Sequence, residues 1–174
     1  LLFATSPVPP SLLNNFGRQR TNGYMVHTQS HKDFVNIVAD SQPNDKQTIN
    51  AFFGYISSYD ARGGELTLAQ YANFDYTGNP EYIKRNAHSE IISFRAGMGH
   101  TYNFNNHFSN TTTVFASGVT NNASSAGGWT DKNTINYGFR STLDTKFDMK
   151  NGVSLRGITG IESQRQNAQI IGYN

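Results

Sequence analysis

Five histidines and twelve carboxylates carry most of the chemical reach of this chain, so their spacing decides what it could do. His27 and His31 stand four apart in HTQSH. That separation brings two imidazoles onto one metal only along a helix, and this stretch reads as a turn between strands. No metal centre is expected. His88 and Glu90 flank a loop-to-strand junction and are expected to face water, while His100 belongs beside Tyr102 on an outward strand face. Glu65 with Asp60 or Asp75 would be a carboxylate pair for glycoside chemistry, but all three fall in one long loop where solvated acids are the default. There is no G-x-S-x-G and no Ser, His and Asp set at an interpretable spacing. Gly63-Gly64 and Gly127-Gly128 lack the following Lys-Ser/Thr of a phosphate loop; they read as bends. Neither a catalytic residue nor a cofactor is expected, and the chain is not read as an enzyme.

Recognition is the chemistry that remains. The segment from Tyr59 to Arg85 interleaves rings and cations, and Trp129, the single tryptophan, stands in Gly127-Gly128-Trp129-Thr130-Asp131. Tyr59, Arg62, Tyr71, Tyr82, Arg85 and Trp129 form the candidate ligand-binding set. Cations beside rings suit an anionic or aromatic ligand, through charge pairing and stacking. Self-packing of an over-long loop accounts for the same residues equally well.

The elements that hold these loops are strands. Ile135–Phe147 alternates apolar Ile135, Tyr137, Phe139, Leu143 and Phe147 with polar Asn136, Arg140, Thr142, Asp144 and Lys146. Glu90–Phe104, Gln47–Tyr59 and Val153–Gln164 repeat the pattern. Lys32–Gln42 and Phe108–Thr120 do so more weakly, and a seventh strand ends near Asn22. Asp60–Ser89 reads as a long connection with a helical turn within Ala69–Tyr82, and Asn121–Thr134 as another loop. Pro43–Lys46, Asn105–His107 and Lys150–Gly152 read as short turns. Short and long connections therefore alternate, as in up-and-down membrane barrels. Phe53, Tyr55, Phe94, Tyr102, Tyr137, Phe139, Leu143 and Phe147 are expected to face lipid, with rings gathered near strand ends at headgroup level. Arg95, Arg140, Asp144, Arg156 and Glu162 fall on the other faces, where a wet lumen would accept them.

Composition agrees. Only 15% of residues are charged and the net charge is +2, so no basic field invites nucleic acid. Polarity comes instead from 20 Asn, 16 Gly and many Ser and Thr, at a mean hydropathy of −0.55. Aromatics at 13% argue against disorder, and the absence of Cys excludes disulfide scaffolds and thiol chemistry.

Several stretches together resemble the barrel of a TonB-dependent outer-membrane receptor. They are Tyr59–Ala69 (YDARGGELTLA), Asn79-Pro80, Ser93-Phe94-Arg95-Ala96-Gly97-Met98-Gly99, Asn22-Gly23-Tyr24 and Asn136–Thr145. The resemblance runs from about Asn14 to the end. It implies an all-β, antiparallel up-and-down meander, a partial transmembrane β-barrel of about seven strands out of the roughly 22 of that family. Residues 1–13 are then an irregular N-terminal stretch and residues 14–174 a barrel segment, with both ends read as cuts in a longer chain. The resemblance further implies the outer membrane of a Gram-negative bacterium, contact with outer-membrane lipid, and partnership with the TonB–ExbB–ExbD system through a region absent here. It also implies import of a scarce nutrient, a ferric siderophore above all. Two other readings fit the residues: a small complete outer-membrane barrel acting as adhesin or pore, and a soluble carbohydrate-binding β-sandwich.

Overall fold

The computed structural model describes residues 8–149 and 152–173. The described residues are all-β, 72% strand and 6% helix. Seven strands make one antiparallel sheet in sequence order: β1 (Val8–Thr21), β2 (Ser30–Asn44), β3 (Gln47–Ala61), β4 (His88–Asn103), β5 (Phe108–Ser125), β6 (Gly128–Asp148) and β7 (Ser154–Tyr173). Each strand pairs only with its neighbours in the chain. The sheet is an open meander, and β1 and β7 are its edges.

Every strand position expected from alternation lies inside one of these seven strands except at the frayed ends, but the strands run longer. Two expectations change. The stretch to residue 13 is not irregular throughout, because β1 starts at Val8, and residues 1–7 lie outside the described part. The prolines at 9 and 10 sit where the β1–β2 register slips, between Val8 and Ser11. On an edge strand with a bulge a missing N–H costs no ladder bond. Asn121–Thr134 is not a loop. Pairing continues to Ser125↔Gly128 and leaves a two-residue turn, closed by Ser125 Oγ accepting from the Gly127 N–H at 3.2 Å. Asn, Ser and Gly made this stretch look unstructured, yet a ladder is held by backbone groups whatever the side chain. The strict alternation of short and long connections therefore fails at this hairpin.

The remaining turns follow their chemistry. Asn44 Oδ1 accepts from the Lys46 N–H (3.0 Å), and Asn105 Oδ1 accepts from those of His107 (2.8 Å) and Phe108 (3.0 Å), as Asx turns do. Gly152 takes φ +74°, and Lys150 and Asn151 of the same expected turn lie outside the described residues. Within the sheet, rings lie over directly opposed glycines. A Cβ on Gly97 would fall within 2.4 Å of the Phe52 ring, and one on Gly118 within 2.4 Å of Phe94. Such pairs cover bare backbone and fix register.

The long connection between β3 and β4 is ordered. It holds α1 (Leu68–Ala72) and α2 (Pro80–Lys84), both touching the expected helical stretch. Thr67 and Gln70 form a capping box for α1; Asn79 caps α2 ahead of Pro80. Its root locks onto the β1–β2 loop. Val26 N–H donates to Tyr76 O (3.0 Å) and Ala61 N–H to Gln29 O (2.9 Å), and His27 Nε2 lies 2.8 Å from Ala87 O, while Asn79 N–H to Gly63 O (2.7 Å) ties the long connection to itself. Ala87 is fully buried and Ala61 nearly so. Packing of the ordinary interior kind is concentrated in this cap, since among the described residues the sheet is a single layer with no second sheet or helix laid over either face.

Candidate functional site

Register assigns every strand side chain to one of two faces. Phe53, Tyr55, Phe94, Tyr102, Tyr137, Phe139, Leu143 and Phe147 all fall on one face. Arg95, Arg140, Asp144, Arg156 and Glu162 all fall on the other. The first face exposes large apolar groups: Phe53 41%, Tyr137 45%, Phe139 40% and Leu12 68%. A monomer in water seldom shows so continuous an apolar surface.

The apolar band does not run straight across the strands. In β1 it spans Leu12–Phe16, centred on Asn14. The row through Asn14 passes Ile37, Phe53, Ala96, Ala116 and Tyr137 to reach Arg165 of β7. In β7 the band on that face, Leu155, Gly157, Thr159 and Ile161, has its midpoint seven residues away from Arg165. β6 is intermediate, with Ile135–Phe147 centred on Ser141. At ~3.3 Å per residue and ~4.8 Å between strands, seven residues over six steps is a diagonal of about 40°. That lies in the ~35–45° range of strand tilt in transmembrane barrels.

At the end bearing the long loop, four rings line up across the sheet. His31 stacks on Tyr59 (centroids 5.5 Å), Tyr59 on His88 (5.2 Å), and His88 meets Trp129 edge-on (6.0 Å). His88 Nδ1 is 2.6 Å from Asn86 O and 3.3 Å from Ser124 Oγ. This corrects the expectation that His88 faces water: it is half-buried, and it fastens the loop to the β5–β6 hairpin. Two shallow pockets of about 300 and 360 Å³ meet at that hairpin and share Trp129 and Tyr173. Arg62 walls one and Arg85 the other. Neither arginine forms an ion pair among the described residues.

The structure thus brings Tyr59, Arg62, Arg85 and Trp129 around one hairpin tip. Trp129 is carried there by a strand rather than a loop. Tyr82 stands further back, its ring 2.8 Å from where a Cβ on Gly64 would lie, and it packs the cap. Tyr71 is not part of the cluster. It projects from α1, 69% exposed, beside Leu68 at 90%. Tyr173 was missed because its place beside Trp129 depends on the β6–β7 register, Trp129↔Tyr173. His27 and His31 do not converge: one binds Ala87 O and the other stacks on Tyr59. His100 lies beside Tyr102 (6.3 Å), its Nε2 3.2 Å from Gln47 Oε1. Among the described residues no three metal-ligating side chains gather, and no helix is long and apolar enough to cross a membrane.

Fold and faces define an antiparallel all-β meander with a ring-rich apolar band on one face and, on the other, the charges Arg95, Arg140, Asp144, Arg156 and Glu162 among scattered apolar groups. No protein-family profile and no curated protein matches this chain.

Proposed function

We propose that the chain is a wall segment of a TonB-dependent receptor barrel in the outer membrane of a Gram-negative bacterium. The diagonal of the apolar band carries this reading, because a sheet tilted in a bilayer must offset its apolar belt from strand to strand, whereas a belt fixed by a packed second layer has no such requirement. Neighbour-only pairing agrees with it. The band meets lipid, the face with Arg95, Arg140 and Glu162 turns to the lumen, and the cap with the hairpin tip stands outside the membrane. There Arg62, Arg85, Trp129 and Tyr59 offer two cations and two rings to an anionic, ring-bearing nutrient such as a ferric siderophore. Import would draw on the TonB–ExbB–ExbD system through the rest of the parent molecule. No bond of the cargo is made or broken.

Sedimentation with and without detergent tests the membrane half of this reading. The chain should be monodisperse only in micelles; a 19 kDa monomer in plain buffer with cooperative unfolding would overturn it. Ligand capture is read from Trp129 fluorescence during titration with ferric siderophores. Saturable quenching, lost in Arg85→Gln and Arg62→Gln, is expected. Quenching that both variants retain would remove these arginines from the site.

A further inference from the structure

A concavity lies at the opposite end from the hairpin tip, among the short turns. It measures about 750 Å³ and is lined by Lys46 from the β2–β3 turn, Asn105 and His107 from the β4–β5 turn, Asp144 and Lys146 from β6, and Arg156 from β7. A pocket of this size takes a small molecule. None of its charged residues was expected to form a site.

Two features point to an anion. First, Lys146 and Arg156 are directly opposed across β6 and β7, on one face of the sheet. Like charges so placed repel and weaken a ladder. Lys146 has a partner in Asp148 at 3.0 Å, but Arg156 has no ion pair among the described residues. Second, Lys46 approaches from the β2–β3 turn, likewise without a carboxylate in ion-pair range. Three cations from three separate parts of the chain therefore face one space, and a bound anion would turn their mutual repulsion into attraction. Asp45 and Asp144 line the same space, neither of them in an ion pair. Their oxygens only accept, so they suit hydroxyl donors on the ligand.

We propose that this concavity binds a small hydroxyl-bearing anion, with a phosphate or carboxylate group held by Arg156, Lys46 and Lys146 and its hydroxyls turned to Asp144 and the Asn105 amide. The planar fork of Arg156 presents two parallel donors to such a group. The site needs only the β2–β3 and β4–β5 turns and the adjoining parts of β6 and β7 to be side by side, so it does not depend on the membrane reading.

Calorimetric titration of the detergent-solubilised chain at low salt tests it, with glycerol 3-phosphate, malate and neutral glycerol as probes. One or both anions should bind saturably, and glycerol should not. Binding of glycerol 3-phosphate alone assigns the site to phosphate, and of malate alone to carboxylate. Arg156→Gln and, separately, Lys46→Gln should each weaken binding by about tenfold, as expected for a charge-assisted contact. Arg95→Gln, a cation at mid-strand on the same face, should leave binding unchanged. Arg156→Gln removes a repulsive neighbour of Lys146, so the unliganded variant should be no less stable than the parent. No saturable binding by either anion overturns the proposal. Equal losses in Arg156→Gln and Arg95→Gln would also overturn it, since they would mean a diffuse charge effect.

Discussion

The loop cap and the β6–β7 wall solve the same problem in opposite ways. Both must satisfy backbone groups and shelter apolar atoms. The cap does so within itself: two loops from different hairpins exchange hydrogen bonds through Val26 and Ala61, Asn79 ties the longer one to itself at Gly63, and Ala61 and Ala87 are buried there. The wall does not. Every residue of β7 from Ser154 to Tyr173 is exposed, and its outer edge has no partner. An unpaired edge must be completed by another strand or by aggregation, and the apolar face beside it must be covered. In this protein order is supplied locally in the cap and left to the surroundings along β6 and β7.

The sharpest way to break that contrast is to charge the wall. Leu143→Arg lies within the apolar band of β6, and in a bilayer it should cost about 2–4 kcal/mol, read from denaturant unfolding in phosphatidylcholine vesicles. An unchanged midpoint would mean that this face does not meet lipid. A companion measurement replaces Trp129 by Phe and places the only tryptophan at Phe139 or at Phe115. These positions are on opposite faces by register, so brominated lipid should quench the first and spare the second.

The cap should respond differently. Gly78 has φ +78° and stands so close to Gly63 that an added Cβ would lie 2.9 Å from its carbonyl oxygen. Gly78→Ala should therefore cost about 1–3 kcal/mol locally. Limited proteolysis between residues 62 and 87 should rise while the strand signal in circular dichroism stays constant. Concerted loss of the sheet would show that cap and wall are one cooperative unit.

How far each region could be read beforehand follows the same division. The strands were legible because one face carries apolar groups at period two, and that signal needs no partner. Their ends were not: at Asn121–Ser125 and Gly128–Thr134 the side chains lose their contrast while the ladder continues. The candidate site was half legible. Rings and cations in the β3–β4 loop advertise themselves, but Arg62 and Arg85 meet Trp129 only through the β4–β5 and β5–β6 pairings, and Tyr173 joins them only through the β6–β7 register. His88 was misread because a histidine at a loop junction looks solvated until Tyr59 and Trp129 are placed on either side of it. The concavity at the short turns left no trace in the sequence, since Lys46, His107 and Arg156 are far apart along the chain.

A smaller effect is expected inside the sheet. Phe52 covers Gly97, so Phe52→Ala exposes bare backbone between β3 and β4 and should cost about 0.2–1 kcal/mol. Hydrogen exchange at the amides around Gly97 should speed up more than at those around Gly118, which Phe94 continues to cover. Equal acceleration at both would mean that the rings hold the sheet collectively rather than pair by pair.

The smallest effect concerns what fills the space beside the polar face. Arg140 and Glu162 are directly opposed, with Nη2 2.6 Å from Oε2, and their side chains are 60% and 42% exposed. A pair so open to water contributes about 0.2–1 kcal/mol and is weakened by salt, because two long side chains must be held still for a screened attraction. Arg140→Gln should thus change stability by less than about 1 kcal/mol, and the difference from the parent should shrink further in ~1 M salt. A salt-insensitive loss of about 3–5 kcal/mol, the size seen when one partner of a buried pair is removed, would mean that the polar face is covered in the assembled molecule. The sheet would then be covered by protein on its polar side, in contrast to the cap, which buries Ala61 and Ala87 with its own residues.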